Sequence, residues 1–248
     1  MFRVVIPVRY AATRLPGKAL MPLAGKPIVQ WVYERASAAG AQEVLIATDD
    51  DLIVSAAHSF GAEAVMTAAA HASGTDRIAE VARLRGWAPA SVVVNVQGDE
   101  PLIDPGTVDA LVAAMTEDDS VQLTTPCAAI SQPGDIMDPN IVKVVRDFES
   151  NALYFSRGPV PWVRDSAETV TAQHWKHLGL YGFRRDALLE FPTLPPGELE
   201  HLEQLEQLRW LENGFRIRVV ETDYDAISVD VPSDVARVEK LLAASARE

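Results

Sequence analysis

The chain has 248 residues, 48% of them hydrophobic and 23% charged, with a formal net charge of −13. That charge excludes general nucleic-acid binding, which relies on a broad positive surface, and no run approaches the ~20 apolar residues of a membrane-spanning helix. The lone Cys127 excludes an internal disulfide and points to a reducing cytoplasm, and Met1-Phe2-Arg3-Val4 enters a strand pattern with no sign of a secretory signal.

Val4 to Val8 reads as a strand, Pro27 to Ala39 as a helix, and Glu43 to Thr48 as a second strand ending at Asp49-Asp50-Asp51. Leu52 to Phe60 is a helix closed by Gly61, and Ala64 to Thr67 a short strand. Thr75 to Arg85 is helical, Val92 to Val96 is a strand, and Pro105 to Met115 is a helix. This alternation predicts an α/β, Rossmann-like, mostly parallel sheet between helices, in three layers. Ligands of such sheets sit beyond the carboxyl ends of the strands. Residues 9–18, 49–51 and 97–101 all follow strands and are expected on one rim.

The second half is less regular and β-rich. Residues 121–130 and 141–146 read as strands, with turns at Pro133-Gly134 and Asp138-Pro139-Asn140, and Gly158 to Trp162 is extended. Leu199 to Asn213 is expected to be one helix ended by Gly214. Ile217 to Val220 and Ile227 to Val231 read as strands, and Ser233 to Ala244 as a helix with Ser233 as N-cap. No repeat or linker is visible, so the expectation is one domain, 1–248. A nucleotide-binding part would cover about 1–120, and a part for acceptor binding and dimerisation about 121–248.

Arg9, Arg14 and Lys18 put three cations within ten residues of an acidic chain, around Pro16-Gly17. Arginine pairs with phosphate oxygens in bidentate fashion and lysine acts as a point charge. The economical reading is a polyanion, such as a nucleoside triphosphate, held at the end of the first strand; the alternative is a solvated basic loop. The spacing is neither a P-loop nor GxGxxG, which disfavours a nicotinamide dinucleotide.

Asp99, in Gln97-Gly98-Asp99-Glu100-Pro101, suits Mg²⁺, which takes one or two carboxylates and otherwise phosphates and water. Asp99 also fits a turn or an N-cap. Asp230 follows an apolar run and could share the metal, or simply end a strand. Ser73-Gly74-Thr75-Asp76-Arg77 could read a base edge or merely start a helix. His177, Tyr181 and Arg184 suit a polyhydroxylated or carboxylated substrate. Glu203 and Gln207, four apart, could meet sugar hydroxyls together or lie on a solvated face. Leucines 199, 202, 205 and 208 read as core packing, and the histidines show no zinc spacing.

Taken in order, these segments resemble the 3-deoxy-manno-octulosonate cytidylyltransferases. The resemblance spans nearly the whole chain. It rests on Arg9-Tyr10 to Lys18, Ser73 to Arg77, Val94 to Pro101, Pro139 to Val145, Ala152 to Arg157, His177 to Gly182, Leu199 to Arg209 and Val229-Asp230. Val8, Ala19 and Val231 depart from the expected alanine, proline and threonine, and all three leave the charged groups intact.

The resemblance implies a nucleotide-diphospho-sugar transferase type of fold, CTP as donor, and 3-deoxy-D-manno-octulosonate (Kdo) as acceptor. It implies Mg²⁺, a homodimer and a cytoplasmic place in lipopolysaccharide biosynthesis. By similarity, Arg9, Arg14 and Lys18 hold the triphosphate, and Ser73, Gly74 and Arg77 lie by the cytosine. Asp99 and Asp230 bind the metal, so that Arg14, Lys18, Asp99 and Asp230 form the catalytic set. Gln97, Arg157, His177, Tyr181, Glu203 and Gln207 line the sugar pocket, with Arg157 or His177 as the cation for the acceptor carboxylate. Rival readings are a cytidylyltransferase for sialic acid or for 8-amino-Kdo, a non-catalytic nucleotide-binding regulator, and a scaffolding protein.

Overall fold

The computed structural model describes residues 1–11, 15–164, 174–224, 227–229 and 232–245, and the side chains of 232, 233 and 243–245 are not part of the description. The chain divides into two compact units, one formed by 1–109, 183–192 and 226–248, the other by 110–182 and 193–225.

The first unit begins with β1 (Phe2–Val8), in which Val4, Val5 and Ile6 are fully buried. A continuous run of this kind is what a strand covered on both faces requires. A small antiparallel ribbon follows, β2 (Pro22–Leu23) with β3 (Lys26–Pro27), and leads into α1 (Ile28–Ser37). Next come β4 (Glu43–Thr48), α2 (Asp51–Ser59), β5 (Glu63–Met66), α3 (Gly74–Leu84), β6 (Val92–Asn95) and α4 (Pro105–Glu117).

Two helix starts are fixed by local chemistry. The Asp50 carboxylate accepts the Leu52 N–H at 2.8 Å, and Ser73 and Asp76 form a reciprocal capping box on α3. β1 pairs in parallel with β4 and β6, and β4 in parallel with β5. Parallel strands end on the same side. The residues after Val8, Thr48, Met66 and Asn95 therefore share a rim, as the alternating pattern predicts.

The second unit is built on β7 (Leu123–Ala129). It continues with α5 (Pro133–Met137), β8 (Lys143–Arg146), β9 (Ala152–Ser156) and β10 (Trp175–His177). β10 lies antiparallel to both β7 and β8, and β8 forms an antiparallel hairpin with β9. After β11 (Tyr181–Arg184), α6 (Arg185–Glu190) belongs to the first unit. The second unit resumes with α7 (Glu198–Glu203), α8 (Gln207–Glu212) and β12 (Arg218–Glu221), the last parallel to β7. The closing helix α9 (Pro232–Ser245) returns to the first unit, where Val238 and Leu242 pack with Leu23, Ile28 and Val229.

Four sequence expectations need correction. The helix expected over 199–213 is two helices, because Gln204 adopts a left-handed conformation with φ 54°. The cause lies elsewhere in the chain: Arg157 Nε donates to the Glu203 carbonyl at 2.7 Å and Nη2 to the Gln204 carbonyl at 3.4 Å. Those carbonyls are thereby satisfied without a continuing helix. Of the leucine row, Leu205 and Leu208 are buried, while Leu199 and Leu202 are exposed. Ile227 to Val229 form no strand, and Val231 lies outside the described residues. α9 begins at Pro232, so Ser233 stands inside its first turn rather than before it.

Candidate active site

A cavity of about 330 Å³ opens in the first unit, lined by Arg9, Lys18, Ser73, Gly74, Arg77, Gln97 and Asp99 with their neighbours. The loop after β1, the start of α3 and the loop after β6 build it, as strand polarity requires. Gly98 permits this closeness. A Cβ there would stand 2.8 Å from the Val8 side chain and 3.2 Å from the Pro7 carbonyl oxygen. Gly17, with φ 70° and its N–H on the Tyr10 carbonyl at 2.8 Å, turns the chain so that Lys18 follows in a single 3-10 turn.

Lys18 Nζ donates to Asp99 Oδ2 at 2.7 Å. The expected phosphate ligand and the expected metal ligand are therefore in direct contact. Arg9 Nη2 donates to the His71 carbonyl at 2.7 Å, tying the first loop to the segment that enters α3. That segment is held in turn by Glu80, which accepts the Ala68 N–H at 2.9 Å and pairs with the His71 ring.

The Ser73 hydroxyl serves as a helix cap, accepting the Asp76 N–H at 3.1 Å. It keeps its O–H as a donor. Arg77 is fully buried. It donates to Asp49 Oδ2 at 3.1 Å and to the Thr67 hydroxyl, while its Nε has no partner among the described residues. Asp49 is a site neighbour that sequence reasoning left unassigned, although its place directly after β4 put it on the expected rim. Arg14 and Asp230 lie outside the described residues. Val229, the residue before Asp230, donates its N–H to the Asp99 carbonyl at 2.9 Å.

Arg157, His177, Tyr181, Glu203 and Gln207 all belong to the second unit. Arg157 is fixed by backbone carbonyls, with Pro139 O accepting from Nη1 at 2.9 Å beside the two carbonyls at the helix break. Lys143 supports it from behind: fully buried, it donates to the carbonyls of Asp138, Ile141 and Arg157 at 2.6–2.9 Å. Desolvation holds the Lys143 ammonium below its ordinary pKa.

Glu203 is turned toward β9. Its carboxylate accepts from the Ser156 hydroxyl at 2.8 Å, the Tyr154 hydroxyl at 3.3 Å and the Arg157 N–H at 2.9 Å. The expected pairing of Glu203 and Gln207 along one helix does not occur, because they stand on either side of the break. Gln207 is buried, with its amide nitrogen unpartnered among the described residues.

The His177 ring meets Phe155 edge-on at 4.9 Å and Tyr181 at 5.5 Å, and its Nε2 lies 2.9 Å from the Thr125 hydroxyl. Burial pushes the imidazole pKa down to about 3, so the ring is neutral at physiological pH. Burial raises the Tyr181 phenol well above its usual value, with the Glu206 charge adding to the effect. Burial likewise pushes the Cys127 thiol up to about 12, which makes it a core residue and not a nucleophile.

The model of a protein family described as "Cytidylyltransferase" matches residues 3–218. A 3-deoxy-manno-octulosonate cytidylyltransferase of Solibacter usitatus is 51% identical over 243 residues, covering 97% of this chain and 94% of its own. The chain belongs to the 3-deoxy-manno-octulosonate cytidylyltransferase family. A member from Geobacter metallireducens is 50% identical, with 96% of each chain covered. Among solved structures, a CMP:2-keto-3-deoxy-manno-octonic acid synthetase complexed with CTP superposes with a TM-score of 0.91 at 40% identity, over 99% of this chain and 100% of that one. A 4-diphosphocytidyl-2C-methyl-D-erythritol synthase from Anaerococcus prevotii, at 12% identity and a TM-score of 0.63, shares the fold. The α/β nucleotidyltransferase class expected from the strand–helix alternation is thus the class observed.

Proposed function

We propose that this chain transfers CMP from CTP to the anomeric hydroxyl of Kdo, releasing pyrophosphate, for lipopolysaccharide biosynthesis. The observation that carries this reading is half-identity to 3-deoxy-manno-octulosonate cytidylyltransferases along almost the entire chain. The anomeric oxygen attacks the α-phosphorus while the bond to the β-phosphate bridging oxygen breaks, and the hydroxyl proton is released to solvent. Arg9, Arg14 and Lys18 hold the triphosphate and neutralise charge growing on the departing pyrophosphate. Ser73, Gly74 and Arg77 form the wall for the base. Gln97 lines the same cavity.

Asp99 and Asp230 are our candidates for holding Mg²⁺. Asp99 lines the cavity wall with its side chain 30% exposed, and Val229, the residue before Asp230 in sequence, donates its N–H to the Asp99 carbonyl. Among the described residues no three potential ligands cluster, and one or two carboxylates with phosphates suit this ion. When bound, the ion would neutralise phosphate charge and favour ionisation of the acceptor hydroxyl.

For the acceptor we assign Arg157, His177, Tyr181, Glu203 and Gln207. With His177 neutral, Arg157 is the cation of the two candidates for the acceptor carboxylate. Arg157→Ala is expected to raise the acceptor KM at least about tenfold, the worth of a charge-assisted bond, with the CTP KM unchanged. An unchanged acceptor KM in steady-state assays would clear Arg157 of that role. The whole reading is tested by pyrophosphate release from CTP with Kdo, sialic acid and 8-amino-Kdo in parallel. Release is expected with Kdo at a rate at least about tenfold above either analogue, and no release with Kdo would overturn the proposal.

We also propose a homodimer. The supporting observation is apolar surface on the second unit: Phe148 stands wholly exposed at the β8–β9 turn, and Leu153 and Trp162 of the same unit are also exposed. Phe148→Asp is expected to shift sedimentation from dimer to monomer. A wild-type monomer at micromolar concentration would refute the proposal. No helix among the described residues is long and apolar enough to cross a membrane. A cytoplasmic setting accords with the single, buried Cys127.

A further inference from the structure

A hydroxyl group has one proton to give. Thr125, fully buried in β7, sets its Oγ1 2.8 Å from the Leu180 carbonyl oxygen, 3.3 Å from that of Leu178, and 2.9 Å from His177 Nε2. Carbonyl oxygens only accept, so the Thr125 proton goes to Leu180. What faces the imidazole is then a lone pair, and Nε2 must carry the hydrogen that meets it. The packing of Phe155 and Tyr181 against the ring keeps it desolvated and neutral. A neutral imidazole has a single N–H, so Nδ1 is bare and can only accept.

We propose that Thr125 is a positioning residue for the acceptor. It locks His177 in the Nε2–H tautomer, so that Nδ1 accepts a hydrogen bond from a hydroxyl of the polyhydroxylated acceptor. This rests on the reading of His177 as an acceptor-binding residue. The arrangement fixes a sign as well as a direction. A bare nitrogen lone pair attracts a hydroxyl and repels a carboxylate oxygen, so His177 selects an alcohol while Arg157 is left to take the acid. Thr125 has no solvent exposure, so its hydroxyl is not replaced by bulk water when removed.

The test combines histidine nitrogen NMR with steady-state kinetics on Thr125→Val and Thr125→Ser, with His177→Ala locating the His177 signals. Wild-type protein is expected to show His177 as the Nε2–H tautomer. Valine keeps the shape and loses the hydroxyl. It is expected to raise the acceptor KM about tenfold, the worth of one hydrogen bond of about 1.4 kcal/mol, to leave the CTP KM unchanged, and to mix the two tautomers. Serine is expected to restore both readouts. An Nδ1–H or charged ring in the wild type overturns the proposal, and so does a raised KM in Thr125→Val with the tautomer unmoved. Should the valine variant fail to fold, the wild-type spectrum and the serine variant decide alone. If His177→Ala leaves the acceptor KM unchanged, the assignment of His177 to the acceptor fails, and this is read separately from the tautomer.

Discussion

Asp99→Asn is expected to cut kcat about a thousandfold while CTP is still bound, with its KM within about threefold of wild type. Asparagine preserves the shape and still offers an oxygen to Lys18, whose Nζ sits 2.7 Å from Asp99 Oδ2. The charge is what disappears. Losing one preorganised electrostatic group from a site of this kind costs about 10²–10³ in rate, and Asp99 has two such duties, as partner of Lys18 and as proposed cation ligand. The change falls on kcat rather than on nucleotide affinity because the cationic loop that we assign to the triphosphate is intact. Pyrophosphate release in single-turnover and steady-state assays, with a melting curve as control, checks this. A kcat within tenfold of wild type would remove Asp99 from the reacting centre.

The second large effect is on stability. In Arg77→Met the fully buried guanidinium is lost, leaving the Asp49 carboxylate and the Thr67 hydroxyl without their partner. Breaking a buried ion pair from one side costs about 3–5 kcal/mol. Asp49 retains 19% side-chain exposure, so water relieves part of its burden and the lower figure applies. For a chain of this size about 3 kcal/mol corresponds to a Tm drop of roughly 6–12 °C. The double variant Asp49→Asn/Arg77→Met is expected to melt above Arg77→Met alone, because the stranded charge is gone. CTP affinity is expected to fall in both, since Arg77 lines the cavity. A Tm loss below 2 °C in Arg77→Met would show that the pair contributes little.

The first half of the molecule was readable because its causes are local. Val92 to Asn95 is a strand opened by three successive valines, and Ser73 and Asp50 cap the helices that follow them. Arg9, Lys18 and Asp99 could be brought together on paper because each follows a strand, and parallel strands end on one side. The second half depends on partners remote in sequence. β10 is three residues long, with nothing in Trp175-Lys176-His177 to mark it, and it exists through pairing with β7 and β8. The break at Gln204 is caused by Arg157, 46 residues before Glu203. Thr125 stands 52 residues from the ring it orients, and Asp49 stands 28 from Arg77. Glu203 could be read as a sugar contact or a solvated face, but its bonds to β9 escaped notice because a helical wheel cannot show a strand waiting on that side.

Position 157 is a poor place to retune which acid the enzyme accepts. The same planar group that we assign to the acceptor also occupies the carbonyls of Pro139, Glu203 and Gln204, closing α7 and setting where α8 and Gln207 begin. Lysine, with one ammonium in place of a rigid fork, could not span those three oxygens. Exchange there would move the segment beyond as well as alter charge. A designer, or natural divergence, gains more freedom at residues such as Gln207, whose amide nitrogen has no hydrogen-bond partner among the described residues.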